Sequence, residues 1–200
     1  MGFGIKYRNS TDEELMHLIG NGNSNAFEEL YKRYGKKIHH YFFRMLGNDK
    51  EKANDFTQDI FLKVIEKNSC FNKCLKFSTW LYSLATNMCR NDYKHSEVIL
   101  KHIEEYKYTS EKSYYLGFDT HFDNKYLKKN LEKELNELEE NQKTTFILRY
   151  HEELSIKEIA EIMECAEGTV KSRLFYTIQK LSQKLKTLNH IIEKEIWKNN

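Results

Sequence analysis

Apolar residues recur along most of this chain at the three- and four-residue steps of an α-helix, without the two-residue alternation of strands. After Ser10 and Thr11, with Asp12, Glu13 and Glu14 behind them, Leu15, Leu18 and Ile19 mark a first short helix. Gly20 to Ser24 reads as a turn in which Ser24 caps a longer helix. That helix carries Phe27, Leu30, Tyr31, Tyr34, Ile38, Tyr41, Phe42 and Met45, and Gly47-Asn48 stops it. A third helix over Lys50 to Lys67 would bury Ala53, Phe56, Ile60 and Val64. Trp80, Leu81, Leu84 and Met88 share a face of a fourth. From Lys94 to Asn124 the period is lost, although Val98 to Tyr106 can continue as helix; this mixed stretch reads as a linker. Helical spacing returns with Leu127, Leu131, Leu135 and Leu138, then Phe146, Ile147 and Tyr150.

The most informative pattern lies between Leu154 and Leu188. Ser155 and Glu158 have the spacing of a capping box, opening a short helix with Ile156, Ile159, Ala160 and Met163 on its apolar side. A tight turn over Glu164 to Glu167 follows. Val170, Leu174, Ile178, Leu181, Leu185 and Leu188 then stripe one side of a longer helix, with Thr169, Ser172, Arg173, Tyr176, Gln179, Lys180 and Gln183 opposite. Two helices so joined form a helix-turn-helix, whose second helix reads the DNA major groove. The plainer alternative is an αα-hairpin inside a helical core, and pattern alone weighs the two evenly.

Charge bears on that choice. The net charge is only +2, so affinity for a polyanion must come from local segregation. No acid occurs between Glu167 and Glu193, whereas Lys171, Arg173, Lys180, Lys184 and Lys186 do; five acids gather between Glu132 and Glu140. Proline is absent where average usage predicts about ten, in keeping with an all-α chain. Cys70, Cys74, Cys89 and Cys165 form no CxxC pair, which favours thiols over a zinc site. The N-terminus lacks an apolar signal segment and no stretch reaches membrane-span length, so a cytoplasmic location is expected.

Two further stretches point to binding. On the third helix, Asp55, Gln58, Asp59, Leu62 and Glu66 cluster away from the buried side: an apolar anchor in a polar rim, as protein interfaces use. The plainer reading is a solvated acidic face. A metal site on Asp55 and Asp59 lacks further ligands, and His39 and His40 read as solvated or packing residues. Asn68 to Asn91 carries no acid and interleaves Lys73, Lys76 and Arg90 with Phe71, Phe77, Trp80 and Tyr82. Cations and rings together suit single-stranded nucleic acid. For Trp80 the core role is the stronger; for Phe71, Asn72, Lys73 and Asn87 the stronger reading is contact with an unstacked base.

The run Leu154-Ser-Ile-Lys-Glu-Ile-Ala-Glu-Ile-Met-Glu-Cys-Ala-Glu-Gly-Thr-Val-Lys-Ser-Arg-Leu174 resembles the C-terminal DNA-binding region of the sigma-70 family, and more narrowly its extracytoplasmic-function (ECF) subgroup. Asp55-Phe-Thr-Gln-Asp-Ile-Phe-Leu-Lys-Val64, Phe77-Ser-Thr-Trp-Leu-Tyr-Ser-Leu-Ala-Thr-Asn87 and Asp92-Tyr93 resemble sigma region 2. The resemblance implies two small helical domains, 1–95 and 125–200, joined by a linker over 96–124. It implies docking on core RNA polymerase through Asp55, Gln58, Asp59 and Leu62. Reading of the single-stranded −10 element would fall to Phe71, Asn72, Lys73, Trp80 and Asn87, and reading of the −35 duplex to Thr169, Lys171, Ser172, Arg173, Phe175 and Tyr176. Ser172 and Arg173 could donate to bases and Phe175 could touch a thymine methyl, while Lys171 takes phosphate.

The partners implied are core polymerase, promoter DNA and an anti-sigma factor, with no cofactor and no catalytic activity. The chain departs from the family pattern at Glu139, where Pro is common, at Glu153 and Glu164, where Gly is common, and at Ala166, where a Ser caps the recognition helix. The missing cap is expected to weaken −35 binding. The alternatives are a stand-alone helix-turn-helix regulator with an N-terminal sensor or dimerisation domain, and an interaction protein of anti-sigma type.

Overall fold

The computed structural model describes residues 7–72, 76–103 and 131–184, with side chains of 97–103 excepted. Lys73, Cys74, linker residues 104–124, Leu127, Leu185, Lys186 and Leu188, each read above from sequence, lie outside the described residues. Every regular element among the described residues is helical, and the chain divides into two compact units.

The N-terminal unit starts with α1 (Asp12–Gly20), closed at its start by a reciprocal capping box: Thr11 N–H donates to Glu14 Oε2 at 2.9 Å and Glu14 N–H to Thr11 Oγ1 at 3.2 Å. Helix α2 (Ser24–Met45) is capped by Asn23, whose Oδ1 accepts from Ala26 N–H at 3.1 Å, so Ser24 is the first helical residue and not the cap. Asn caps as well as Ser, and Asn23 is further held because its Nδ2 donates to the Tyr7 hydroxyl at 3.1 Å. Gly47, at φ 73°, and Asn48, at φ 66°, turn the chain out of α2, and Asp49 then caps α3 (Lys50–Glu66) through Lys52 N–H. A 3₁₀ turn (Asn68–Cys70) leads toward α4 (Phe77–Ile103). This helix runs on past residue 95, well into the stretch read as linker.

Helix α2 is the centre of this unit, packing on α1, α3 and α4. Leu30, Ile38, Phe42 and Met45 from α2 are fully buried together with Leu15, Ile60, Val64, Phe77 and Leu81. On α3 the buried side is Ala53, Thr57, Ile60, Phe61 and Val64, with Phe56 only half-buried. Thr57 enters the core because its hydroxyl donates to Ala53 O at 2.6 Å, a partner within its own helix. The 3₁₀ turn fits tightly on the end of α1: a β-carbon on Gly20 would stand 3.2 Å from Asn68 Oδ1.

The C-terminal unit comprises a helix over 131–136 (α5), α6 (Glu140–Tyr150), α7 (Ile156–Ile162) and α8 (Glu167–Lys184). Leu135, Leu138, Phe146 and Leu181 form one buried cluster, flanked by Leu131. Ile147, Leu148, Ile159, Ile162 and Val170 are buried as well, whereas Tyr150, read as core from its spacing, is 40% exposed. Its ring packs against that of Phe146, with centroids 4.8 Å apart, and partial burial raises the pKa of its hydroxyl.

Candidate nucleic-acid interface

The capping box at Ser155 forms: Ser155 N–H donates to Glu158 Oε2 at 2.9 Å and Glu158 N–H to Ser155 Oγ at 3.2 Å. Helix α7 then ends in a turn where Glu164 adopts φ 51° and Cys165 N–H reaches back to Ala160 O at 3.0 Å. Glu153, before α7, is likewise left-handed at φ 56°. These are the two positions where the resemblance leads one to expect Gly, and the backbone explains why. An L side chain there costs roughly 1–2 kcal/mol. Helix α8 starts at Glu167 behind Ala166, which has no side-chain oxygen to hold the first amides.

The apolar stripe of α8 is Val170, Leu174, Thr177 and Leu181; Ile178 is only half-buried and Thr177 takes the central place. Opposite it, Lys171, Ser172, Phe175, Tyr176 and Gln179 are exposed. Phe175 is 63% and Tyr176 59% exposed, their rings meeting edge to face at 5.4 Å. Thr169 and Arg173 stand half-buried at the margin. One nitrogen of the Arg173 guanidinium donates to Cys165 Sγ at 3.7 Å, and Ser172 Oγ donates to Thr169 O at 3.0 Å. Lys184, counted from sequence in the basic face, is instead paired at 2.6 Å with both Glu134 and Glu137, which raise its pKa. Part of the acidic cluster is thus neutralised by the very helix it seemed to be segregated from.

In the N-terminal unit Asp55, Gln58, Asp59 and Leu62 are all exposed on α3, Leu62 at 57%. Two further apolar side chains are exposed in this unit: Ile65, 43% exposed one turn further on and not singled out by the sequence pattern, and Tyr31 of α2, 46% exposed with its ring 4.8 Å from that of Phe61. The helical spacing of Tyr31 matches that of the buried stripe, so periodicity alone puts it in the core.

The single-strand group is only partly surface. Phe71 is buried, its ring set edge-on against Trp80 at 5.4 Å and Phe77 at 6.2 Å. It supports the base of the loop and offers no free face for a nucleobase, which corrects the expectation. Trp80 is half-buried; Asn72 and Asn87 are exposed, and Asn87 Oδ1 accepts from Arg90 at 3.2 Å. His39 is half-buried and His40 exposed, and the pKa of His40 is lowered by partial burial and by the charges of Arg44, His39 and Lys36. Among the described residues no three His, Cys, Asp or Glu side chains converge as for a metal ion. No described helix is long and apolar enough to cross a membrane.

A helix-turn-helix with an outward recognition face is the arrangement of a DNA-binding protein. The family models for Sigma-70 region 2 and Sigma-70, region 4 match residues 30–97 and 128–181. An ECF RNA polymerase sigma-E factor of Haemophilus influenzae is 30% identical over 188 residues, spanning 89% of this chain and 97% of its own. The ECF sigma factor SigW of Bacillus subtilis is 28% identical, spanning 85% and 94%. Among solved structures, CnrH in complex with the cytosolic domain of CnrY superposes with a TM-score of 0.65 at 19% identity, over 89% of this chain and 99% of that one. The sigma factor RpoE of Bartonella quintana, solved with the anti-sigma factor NepR, gives 0.64 at 21% identity, over 80% and 96%. The chain belongs to the sigma-70 family, in its ECF subgroup: it is a sigma factor, which binds core RNA polymerase and directs promoter recognition.

Proposed function

We propose that the labour is divided between the two units, with the domain limits near 1–95 and 125–200. Asp55, Gln58, Asp59 and Leu62, extended by Ile65, form the surface that docks on core polymerase. Asn72, Lys73, Trp80 and Asn87 face the melted −10 strand, with Phe71 as an internal support. Lys171, Ser172, Phe175 and Tyr176 face the −35 duplex, with Thr169 and Arg173 at its margin. The chain works in the cytoplasm without catalytic activity of its own, the chemistry of RNA synthesis belonging to the core enzyme. An anti-sigma factor, such as those that hold the Bartonella quintana relative, would restrain it by covering one of these surfaces.

The observation that carries this reading is that regions 2 and 4 occur in order in one chain that spans 97% of its Haemophilus influenzae relative. A stand-alone regulator would need only the second of them. The test is initiation in vitro: purified chain added to core polymerase should start transcription from discrete sites on a genomic template, while the chain alone binds those sites poorly. Tight, specific binding by the chain alone, with no gain in initiation, would overturn the reading in favour of a regulator.

A further inference from the structure

The row of α8 that faces away from the core is unusual in its chemistry. Ser172, Phe175, Tyr176 and Gln179, three, four and seven residues apart, fall on one side of the helix, and all four are exposed. Their span of seven residues is about 10 Å of helix, the length of roughly three base pairs. The three cations of this segment, Lys171, Arg173 and Lys180, lie on the flanks of that row. Lys171 is on one side, and half-buried Arg173 is on the other, turned to Cys165 Sγ. The centre of the face is therefore two rings, one hydroxyl and one amide, and it holds no guanidinium.

In the major groove a guanine is selected chiefly by a guanidinium or ammonium on O6 and N7, and a thymine by apolar contact with its C5 methyl group. Phe175 has no polar atom to offer a base, and the Ser172 hydroxyl already gives its proton to Thr169 O. Resting on the proposed −35 reading, we infer that Phe175 and Tyr176 are specificity-determining residues that select thymine methyl groups in the duplex −35 element. Lys171 and Arg173 take backbone phosphates on either side. Gln179 continues the row with a group that can pair with adenine N6 and N7, the partner of such a thymine.

The experiment uses holoenzyme reconstituted from core polymerase and the full chain. Its upstream element is first selected from duplexes randomised at that position. Each selected thymine is then replaced by deoxyuridine, which removes only the methyl, and each guanine by 7-deazaguanine, which removes N7. At least one uridine replacement should lower affinity about fourfold, the value of one methyl taken from water. That sensitivity should persist in Tyr176→Phe and vanish in the Phe175→Ala, Tyr176→Ala double variant. Both rings are exposed, so the double variant should keep the wild-type unfolding profile. Uridine replacements without effect, methyl sensitivity that survives the double variant, or loss of core binding in place of duplex affinity would each overturn the inference. A holoenzyme that forms and initiates but ignores the methyls sinks this inference alone; a chain that forms no holoenzyme sinks the sigma reading and this inference with it.

Discussion

The carboxylate of Glu13, in α1, accepts the backbone N–H of Phe77 at 2.9 Å, across a separation of 64 residues. Phe77 is the first residue of α4, the helix that carries Trp80 and Asn87. The side chain of the residue before it, Lys76, carries no acceptor atom, and the amide at the helix start is satisfied from another helix. The negative charge also sits favourably at the positive end of the helix dipole. One contact thus fixes where the aromatic helix begins relative to the N-terminal segment.

Replacing Glu13 by Ala should accordingly cost about 1 kcal/mol, the usual value of a cap. The loss should appear as faster hydrogen exchange at the first-turn amides of α4 and slower promoter opening. Glu13→Gln keeps an acceptor oxygen and should recover about half of the difference. Equal loss in both variants would mean that charge, and not the hydrogen bond, is what α4 requires.

Tyr34 makes a second tie to the same N-terminal segment. Its hydroxyl donates to Asp12, whose other oxygen accepts from Arg33 at 2.7 Å. Burial, reinforced by the neighbouring Asp12 charge, raises the Tyr34 pKa well above the ordinary phenol range. An unfolded chain releases this proton near pH 10 while the folded one retains it. Above that pH the folded state binds more protons, so stability present below pH 10 is lost as pH rises. Urea unfolding from pH 9 to 11 should show a steeper decline for wild type than for Tyr34→Phe. The variant should itself be about 1–2 kcal/mol less stable at pH 8, where the charge-assisted hydrogen bond is missing.

Most of the architecture was legible because its determinants are local. The helices follow from the spacing of Leu30, Ile38 and Phe42 or of Val170 and Leu174, and the capping box at Ser155 could be read letter by letter. Periodicity defines an apolar arc but not its edges, so it puts Tyr31 and Tyr150 inside and misses Thr177, a polar residue at a core angle. The burial of Phe71 depends on Phe77 and Trp80 closing around a turn, which no spacing encodes. The pairing of Lys184 with Glu134 and Glu137 is tertiary in the same sense.

Leu62 is the sharpest test of the polymerase-docking proposal. It is 57% exposed, so nothing in the fold needs it, and a change there should stay within about 0.5 kcal/mol in stability. An apolar anchor at the centre of an interface is commonly worth 2 kcal/mol or more. Leu62→Lys should therefore weaken binding to core polymerase by a factor of about 30, measured by fluorescence anisotropy. Glu66→Gln, one turn on at the rim, should change it less than threefold. A Leu62 variant that binds core as wild type does would place the docking surface elsewhere on the unit.

The turn between α7 and α8 bears a cost that the sequence need not carry. Glu164 holds φ 51° without being glycine, and Ala166 starts α8 without a side-chain acceptor. Glu164→Gly removes the clash of a β-carbon in the left-handed region and should stabilise the unit by up to about 1 kcal/mol, part of the gain being offset by glycine's freedom in the unfolded chain. Ala166→Ser should add about 1 kcal/mol by giving the first amides of α8 an acceptor. Both changes act on one turn and need not add, but their combined effect, read as slowed hydrogen exchange across α7 and α8, should exceed either alone. Only Ala166→Ser should also tighten duplex binding, because its hydroxyl lies at the helix start, where a phosphate would sit. Equal tightening by both would show that the wild-type turn limits DNA affinity through its stability and not through a missing contact.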